Sequence, residues 1–343
     1  MTIRLEEGVG AGGEGLSVAS ALPQTGLELY QFLKKADVES KARVKFPEIT
    51  RTVDQAYSSQ RATYLQSPTK ENLTKLASAI GFAGAFNFIE DMQPICKDGT
   101  VDGTIFPFVK LGPPAAVQVL EIAKITATDN VLELFSGVGY FTFFLALSSP
   151  QVLDCVDLYS CQTHDLESTF TNAYASIFSE LSEIVRPTVT KPGFIQADCE
   201  ALPNFEQDAS FQHHYNKVLL HPPYGRESRK IVDLSEAQAF TLWLKSLASL
   251  SKANGQGAFQ TYSTVPSEWA ETVIQSMRDQ QVDCAGTIRV LKDKLGISSQ
   301  GVTAEESIAE SQWANLLPLF ATAQAHTIKS RKIGISVLTT EAA

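Results

Sequence analysis

His221-Pro222-Pro223-Tyr224-Gly225 brings together residue types suited to one kind of reaction. An amino group on an aromatic ring is a poor nucleophile, because its lone pair is delocalised into the ring. It attacks only as its nitrogen turns tetrahedral, and it then gathers positive charge. Two acceptors aimed at its N–H bonds favour both changes. Here the His221 side chain, as a neutral imidazole, supplies one acceptor, and the Pro222 carbonyl supplies the other. The two prolines stiffen the segment, so both acceptors are in place beforehand. Tyr224 offers a flat face for a base turned out of its stack. No strong base is required, since the nitrogen's proton becomes acidic once the new bond has formed. A protonated His221 would donate instead of accepting and would repel the developing cation. Activity is therefore expected to rise with pH through the His221 titration. A plain surface turn fits the same residues.

A second constellation lies upstream, from Val131 to Thr142: VLELFSGVGYFT. A short apolar run carrying Glu133 leads through Phe135 into a G-x-G turn and then into apolar residues. Gly137 and Gly139 let the backbone approach a ligand without a Cβ in the way. Asp157 closes the next apolar run, where a carboxylate could accept both hydroxyls of a ribose. A third run ends in Ala197-Asp198-Cys199. A G-x-G turn alone fits a dinucleotide fold or an unliganded turn equally well. Thr142, however, stands where a dinucleotide fingerprint has its third glycine.

Taken in order, the two constellations resemble motifs I and IV of the S-adenosylmethionine (SAM) dependent amino-methyltransferase family. Its motif IV is usually written Asn/Asp/Ser-Pro-Pro-Tyr/Phe/Trp, so His221 is a departure. The resemblance implies SAM as cofactor, held by Pro113, Glu133, Phe135, Gly137, Gly139, Asp157, Asp198 and Cys199, with Asp198 at the adenine amino group. It implies His221, Pro222, Pro223 and Tyr224 as the catalytic residues. Leu111 to Ala123 resembles the segment before motif I in adenine-N6 enzymes, where a proline-started helix covers the methionine end of SAM; an ordinary helix opened by proline fits it as well. The family includes DNA adenine-N6 and cytosine-N4 enzymes, guanine-N2 enzymes of tRNA and rRNA, and glutamine methyltransferases of release factors. The motif order and the proline helix look more like the DNA adenine-N6 group. The run P-P-Y-G-R-E-S-R is similar to the tRNA guanine-N2 group, which usually carries Asp in place of His221. Adenine N6 in DNA is the first expectation. The alternatives are guanine N2 or adenine N6 in RNA, a protein amide or small molecule, and a non-catalytic SAM-fold subunit.

The elements that must position these residues alternate from Pro113 onward. Apolar runs at 131–135, 152–158, 194–197, 217–220 and 257–262 read as strands, with helix-like stretches at 114–124, 141–148, 163–185, 236–250 and 267–280. Such alternation predicts an α/β fold with a doubly wound, mainly parallel sheet. The resemblance makes it a seven-stranded Rossmann-like methyltransferase sheet. Residues 331–338 read as a terminal strand paired antiparallel with 285–291, and 292–327 as a loop. The expected organisation is a flexible N-terminus over 1–22, a helical extension over 23–110 and the methyltransferase domain over 111–343. Ser67-Pro68 reads as an N-cap and first helical position within the extension.

Composition bounds the partners. The chain has 343 residues, 44% of them hydrophobic, with 28 Lys+Arg against 38 Asp+Glu and a formal net charge of −10. That disfavours a protein that coats nucleic acid non-specifically. It leaves room for a nucleic-acid enzyme with a local basic strip, or one whose affinity a protein partner supplies. Arg226, Arg229 and Lys230 after the proline loop are the candidate phosphate contacts; Lys329, Arg331 and Lys332 form a second basic cluster. No apolar run approaches the roughly 20 residues of a membrane span, and the N-terminus has no signal core. A cytoplasmic or nuclear protein is expected. Cys96, Cys155, Cys161, Cys199 and Cys284 form no C-x-x-C pair, so no disulfide framework and no metal site are expected. Cys155, Cys161 and His164 come nearest to a ligand set.

Overall fold

The computed structural model describes residues 113–137, 140–158, 190, 192–205, 207–211, 213–224, 229, 233–254, 257–279, 283–297, 301–328 and 334–342, with isolated positions from 58 to 67. The N-terminal lead-in, nearly all of the helical extension and the expected helix over 163–185 lie outside the described residues.

Seven strands form one sheet in the order β3-β2-β1-β4-β5-β7-β6. They are β1 (Asn130–Leu134), β2 (Val152–Asp157), β3 (Gly193–Gln196), β4 (Lys217–Leu220), β5 (Phe259–Pro266), β6 (Gln324–Ile328) and β7 (Ile335–Ala342). The first five are parallel, and β7 runs antiparallel to both β5 and β6. β1 and β4 lie at the centre and are buried on both faces, which is why they read as unbroken apolar runs. Among the described residues the longer helices are α1 (Pro113–Ala123), α2 (Tyr140–Leu147), α3 (Glu236–Ala253), α4 (Ser267–Arg278), α5 (Cys284–Lys294) and α6 (Glu310–Ala321).

α3 starts where its sequence says it should. Ser235 accepts from the Gln238 N–H at 3.1 Å, and the Gln238 side chain accepts from the Ser235 N–H at 2.7 Å, a reciprocal capping box. Its inner face carries Phe240, Trp243 and Leu247 into the core. Trp243 stacks on Trp269 of α4, and its Nε1 donates to Ser263 of β5 at 3.0 Å.

Residues 285–291 are not a strand. They lie in α5, where the Asp283 side chain accepts from the Gly286 N–H. Thr287, Ile288 and Val290 supply a β-branched look over a short window, but Ile288 and Leu291, three apart, are the residues driven into the core. The strand at the C-terminus pairs with β5 and β6 instead. Within 292–327, expected as a loop, lie α6 and most of β6; Pro318 inside α6 reads as a breaker in sequence.

Candidate active site

The strand order reverses between β1 and β4, the switch point where ligands of doubly wound sheets sit. Leu134 and Leu220 are register partners, so the segments after them leave the sheet side by side. The His221 N–H donates to the Leu134 carbonyl at 3.1 Å and ties the two segments together.

The turn after β1 is tightly wound. Phe135 has φ of 60°, and Gly137 has φ of 55°. A left-handed phenylalanine costs about 1–2 kcal/mol, held by its surroundings. A Cβ on Gly137 would meet only the Phe135 carbonyl, at 3.9 Å, so backbone conformation, not crowding, calls for glycine there. The Gly137 N–H donates to Asp157 Oδ2 at 2.8 Å, which brings the glycine turn onto the end of β2. The next strand end joins them: the Ala197 N–H donates to the Asp157 carbonyl at 3.1 Å. Asp198 is exposed and caps a 3-10 turn, accepting from the Glu200 N–H at 2.9 Å. Cys199 is buried beside them, and burial, with the Asp157 charge added, pushes its thiol up. Three strand ends thus meet as one acidic rim.

His221 stands on the other side of the switch point. Its Nδ1 lies 2.6 Å from Thr264 Oγ1, and the Thr264 hydroxyl donates to the Leu220 carbonyl at 3.2 Å. With that proton committed, Nδ1 carries a hydrogen and donates to Thr264, which leaves Nε2 as a bare acceptor. The opposite tautomer would bury an N–H with no acceptor, which is costlier. The Phe141 ring packs against the imidazole with centroids 4.4 Å apart. Burial lowers the imidazole pKa to about 3. His221 is therefore neutral throughout the ordinary pH range. The rise in activity expected from its titration moves down to that acid region, because desolvation opposes the charged ring.

Nε2 faces Glu133 Oε1 at 3.7 Å, and neither atom has a hydrogen-bond partner. Glu133 is fully buried in β1. Its other oxygen accepts from Thr142 Oγ1 at 2.5 Å. Burial raises the Glu133 carboxyl to about 8, with nearby Asp157 adding to the rise. At neutral pH the carboxyl keeps its proton, and with Thr142 donating to Oε2 that proton belongs on Oε1. The contact is thus between two neutral groups rather than an ion pair. Cys155, the β2 register partner of Glu133, is held as a neutral thiol by the same burial.

The proline segment is a tight turn: the Tyr224 N–H donates to the Pro222 carbonyl at 2.8 Å. That carbonyl keeps a second lone pair. The Tyr224 ring is only 5% exposed and sits edge-on to Trp269, 6.4 Å between centroids. A base could stack on it only after the ring turns outward. Arg229 is engaged elsewhere, its Nη2 lying 2.8 Å from Glu236 Oε2 at the start of α3. Glu236 also accepts from Trp269 Nε1 at 3.4 Å.

The structure therefore brings His221, Pro222, Glu133, Phe135, Gly137, Asp157, Asp198 and Cys199 to adjoining strand ends. Pro113 opens α1, as its sequence suggests. Gly139, Arg226, Lys230, Lys329, Arg331, Lys332, Cys161 and His164 lie outside the described residues. Three residues in contact with His221 or Glu133 are not marked as site residues by the sequence motifs. Thr142 and Phe141 stood within the first motif, whereas nothing local marks Thr264.

No family model matches the chain, and no curated protein does. Solved structures that it is similar to include TrmN from Thermus thermophilus, at 14% identity and a TM-score of 0.36, covering 74% of this chain and 53% of that one. A dimethyladenosine transferase from Plasmodium falciparum is 11% identical with a TM-score of 0.34, covering 66% and 61%. A SAM dependent methyltransferase from Aquifex aeolicus is 11% identical with a TM-score of 0.33, covering 74% and 99%. The chain thus spans little more than half the length of the first two. Likeness at this level does not carry chemistry from one chain to another.

Proposed function

We propose that the chain is a SAM-dependent methyltransferase acting on an exocyclic amino nitrogen of a nucleic-acid base, adenine N6 in DNA being the first candidate. One observation carries the reading: the His221 imidazole, its Nδ1 2.6 Å from Thr264 Oγ1, stands at the switch point beside the glycine turn and its acidic rim.

The rim suits SAM. The Gly137 turn would take the methionine end without a Cβ in the way, Asp157 would accept ribose hydroxyls, and Asp198 would meet the adenine amino group, with Phe135 and Cys199 beside the ring. Glu133 lies beneath the turn, and the helix opened by Pro113 would cover the methionine end. Bound there, SAM supplies an electrophilic methyl group on a sulfonium. The chain's own residues do the rest. His221 Nε2 and the free lone pair of the Pro222 carbonyl take the two N–H bonds of the substrate amine and favour its tetrahedral, cationic form. Thr264 holds the imidazole in the accepting tautomer. The packed ring of Phe141 keeps water away from it.

A second reading has its own support. Arg229 is tied to Glu236, and the whole chain carries a formal charge of −10, which suits a protein amide or a small amine better than a polyanion. Incubation with methyl-labelled SAM and, separately, DNA, tRNA and cell lysate separates the readings. Label in DNA or RNA supports the first. Label in protein but in neither nucleic acid overturns it in favour of the second. SAM binding with no transfer to any of them points to a non-catalytic subunit.

A further inference from the structure

Glu133 is hard to explain as a structural residue alone. A fully buried carboxyl inside a central strand is expensive, and the hydrogen bonds it takes from Thr142 and Cys155 leave Oε1 without a partner. That oxygen is aimed at the one atom of His221 that is also unpartnered. The described groups that act on the two are Thr142 and Phe141 from α2, Cys155 and Asp157 from β2, and Thr264 from β5.

We propose that Glu133 is the counter-charge of His221, so that the two side chains act as one proton-accepting pair for the nitrogen that is methylated. This rests on the methyltransfer reading above. In the step, the bond from nitrogen to the methyl carbon forms as the carbon–sulfur bond breaks, and its electron pair stays on sulfur. The nitrogen then gives up a proton, keeping the N–H electron pair, and His221 Nε2 takes that proton with its lone pair. The ionised Glu133 carboxylate neutralises the imidazolium so formed, and the proton is later lost to water. A protonated Glu133 provides no such charge. Turnover is therefore set by the carboxyl of Glu133, raised to about 8, and not by an isolated imidazole. Nε2 itself is closed off in this conformation, so the side chains around it must shift for a substrate to reach it.

The test uses the full chain without cofactor. In the wild type, the His221 Nε2 nitrogen shift is expected to step near pH 8 as Glu133 ionises, with hydrogen on Nδ1 on both sides of the step. Glu133→Gln should abolish the step and keep the tautomer. A flat Nε2 shift in the wild type, or a step that survives in Glu133→Gln, overturns the pairing. If Glu133→Gln fails to fold, Thr264→Val serves: its imidazole should lose the fixed tautomer yet still respond to Glu133. A second measurement follows turnover. The wild-type rate should climb through the same pH, and Glu133→Gln should be about 10²-fold slower and flat. Turnover with an identical pH profile in Glu133→Gln overturns the acceptor role. A resonance step without methyl transfer to any substrate would instead remove the methyltransfer reading and leave the pairing standing.

Discussion

Burial moves the protons of Glu133 and His221 in opposite directions, and the consequences for stability separate cleanly. The Glu133 carboxyl is raised from 4.5 to about 8, so the folded chain holds a proton there that the unfolded chain has lost. Its contribution is full below pH 4.5 and declines as pH rises toward 8. The imidazole of His221 is depressed from 6.5 to about 3, so its contribution is full above 6.5 and lost as pH falls. Where the two windows overlap the slopes oppose each other. Above 6.5 only the Glu133 decline is left. Glu133→Gln keeps the shape and removes the titration. Between pH 6.5 and 8, the wild type should lose about 2 kcal/mol relative to this variant. Denaturant melts of both proteins at the two pH values measure it, and parallel losses would show that Glu133 is ionised in the fold.

Among the elements, Arg229 is held by α3 rather than left free for a ligand. Arg229 reaches Glu236 in the first turn of α3, where a carboxylate also suits the helix dipole, and Glu236 accepts from Trp269 of α4. Trp269 in turn borders Tyr224. Arg229→Ala should therefore reduce turnover by loosening the catalytic segment, while leaving the salt dependence of nucleic-acid binding unchanged. A phosphate contact would instead lower the slope of log K against log salt by about 0.9 on removal. The same distinction marks what could be read from sequence. β1, β2 and β4 are short apolar runs bounded by polar residues, and α3 carries its capping box in four consecutive residues, so local pattern suffices. Arg229 looks like part of a basic loop, because its partner is decided by how α3 packs. Thr264 lies past the apparent end of its strand at 262, since the antiparallel pairing with β7 extends β5 to Pro266. Only the tertiary fold brings it to His221.

At the scale of the whole molecule, one sheet holds the glycine turn and the proline turn in fixed relation, and the chemistry depends on that. The two turns leave adjacent strands at register partners Leu134 and Leu220, both fully buried in the core. A ligand bound to the rim should therefore stabilise the entire sheet and not a loop alone. SAM at a hundred times its dissociation constant should add about 2.7 kcal/mol to unfolding, a rise of roughly 5–10 °C in Tm at about 2–4 °C per kcal/mol. Asp157→Asn keeps an acceptor for the Gly137 N–H and so keeps the turn, but it presents one acceptor oxygen where the carboxylate presents two. It should melt like the wild type without ligand and show a much smaller rise with SAM. Gly137→Ala strains a residue at φ of 55° and should lower both the unliganded Tm and the response. A full response in Asp157→Asn would place the cofactor away from the end of β2. A nicotinamide dinucleotide that raises the Tm where SAM does not would assign the rim to the other ligand class that a glycine turn fits.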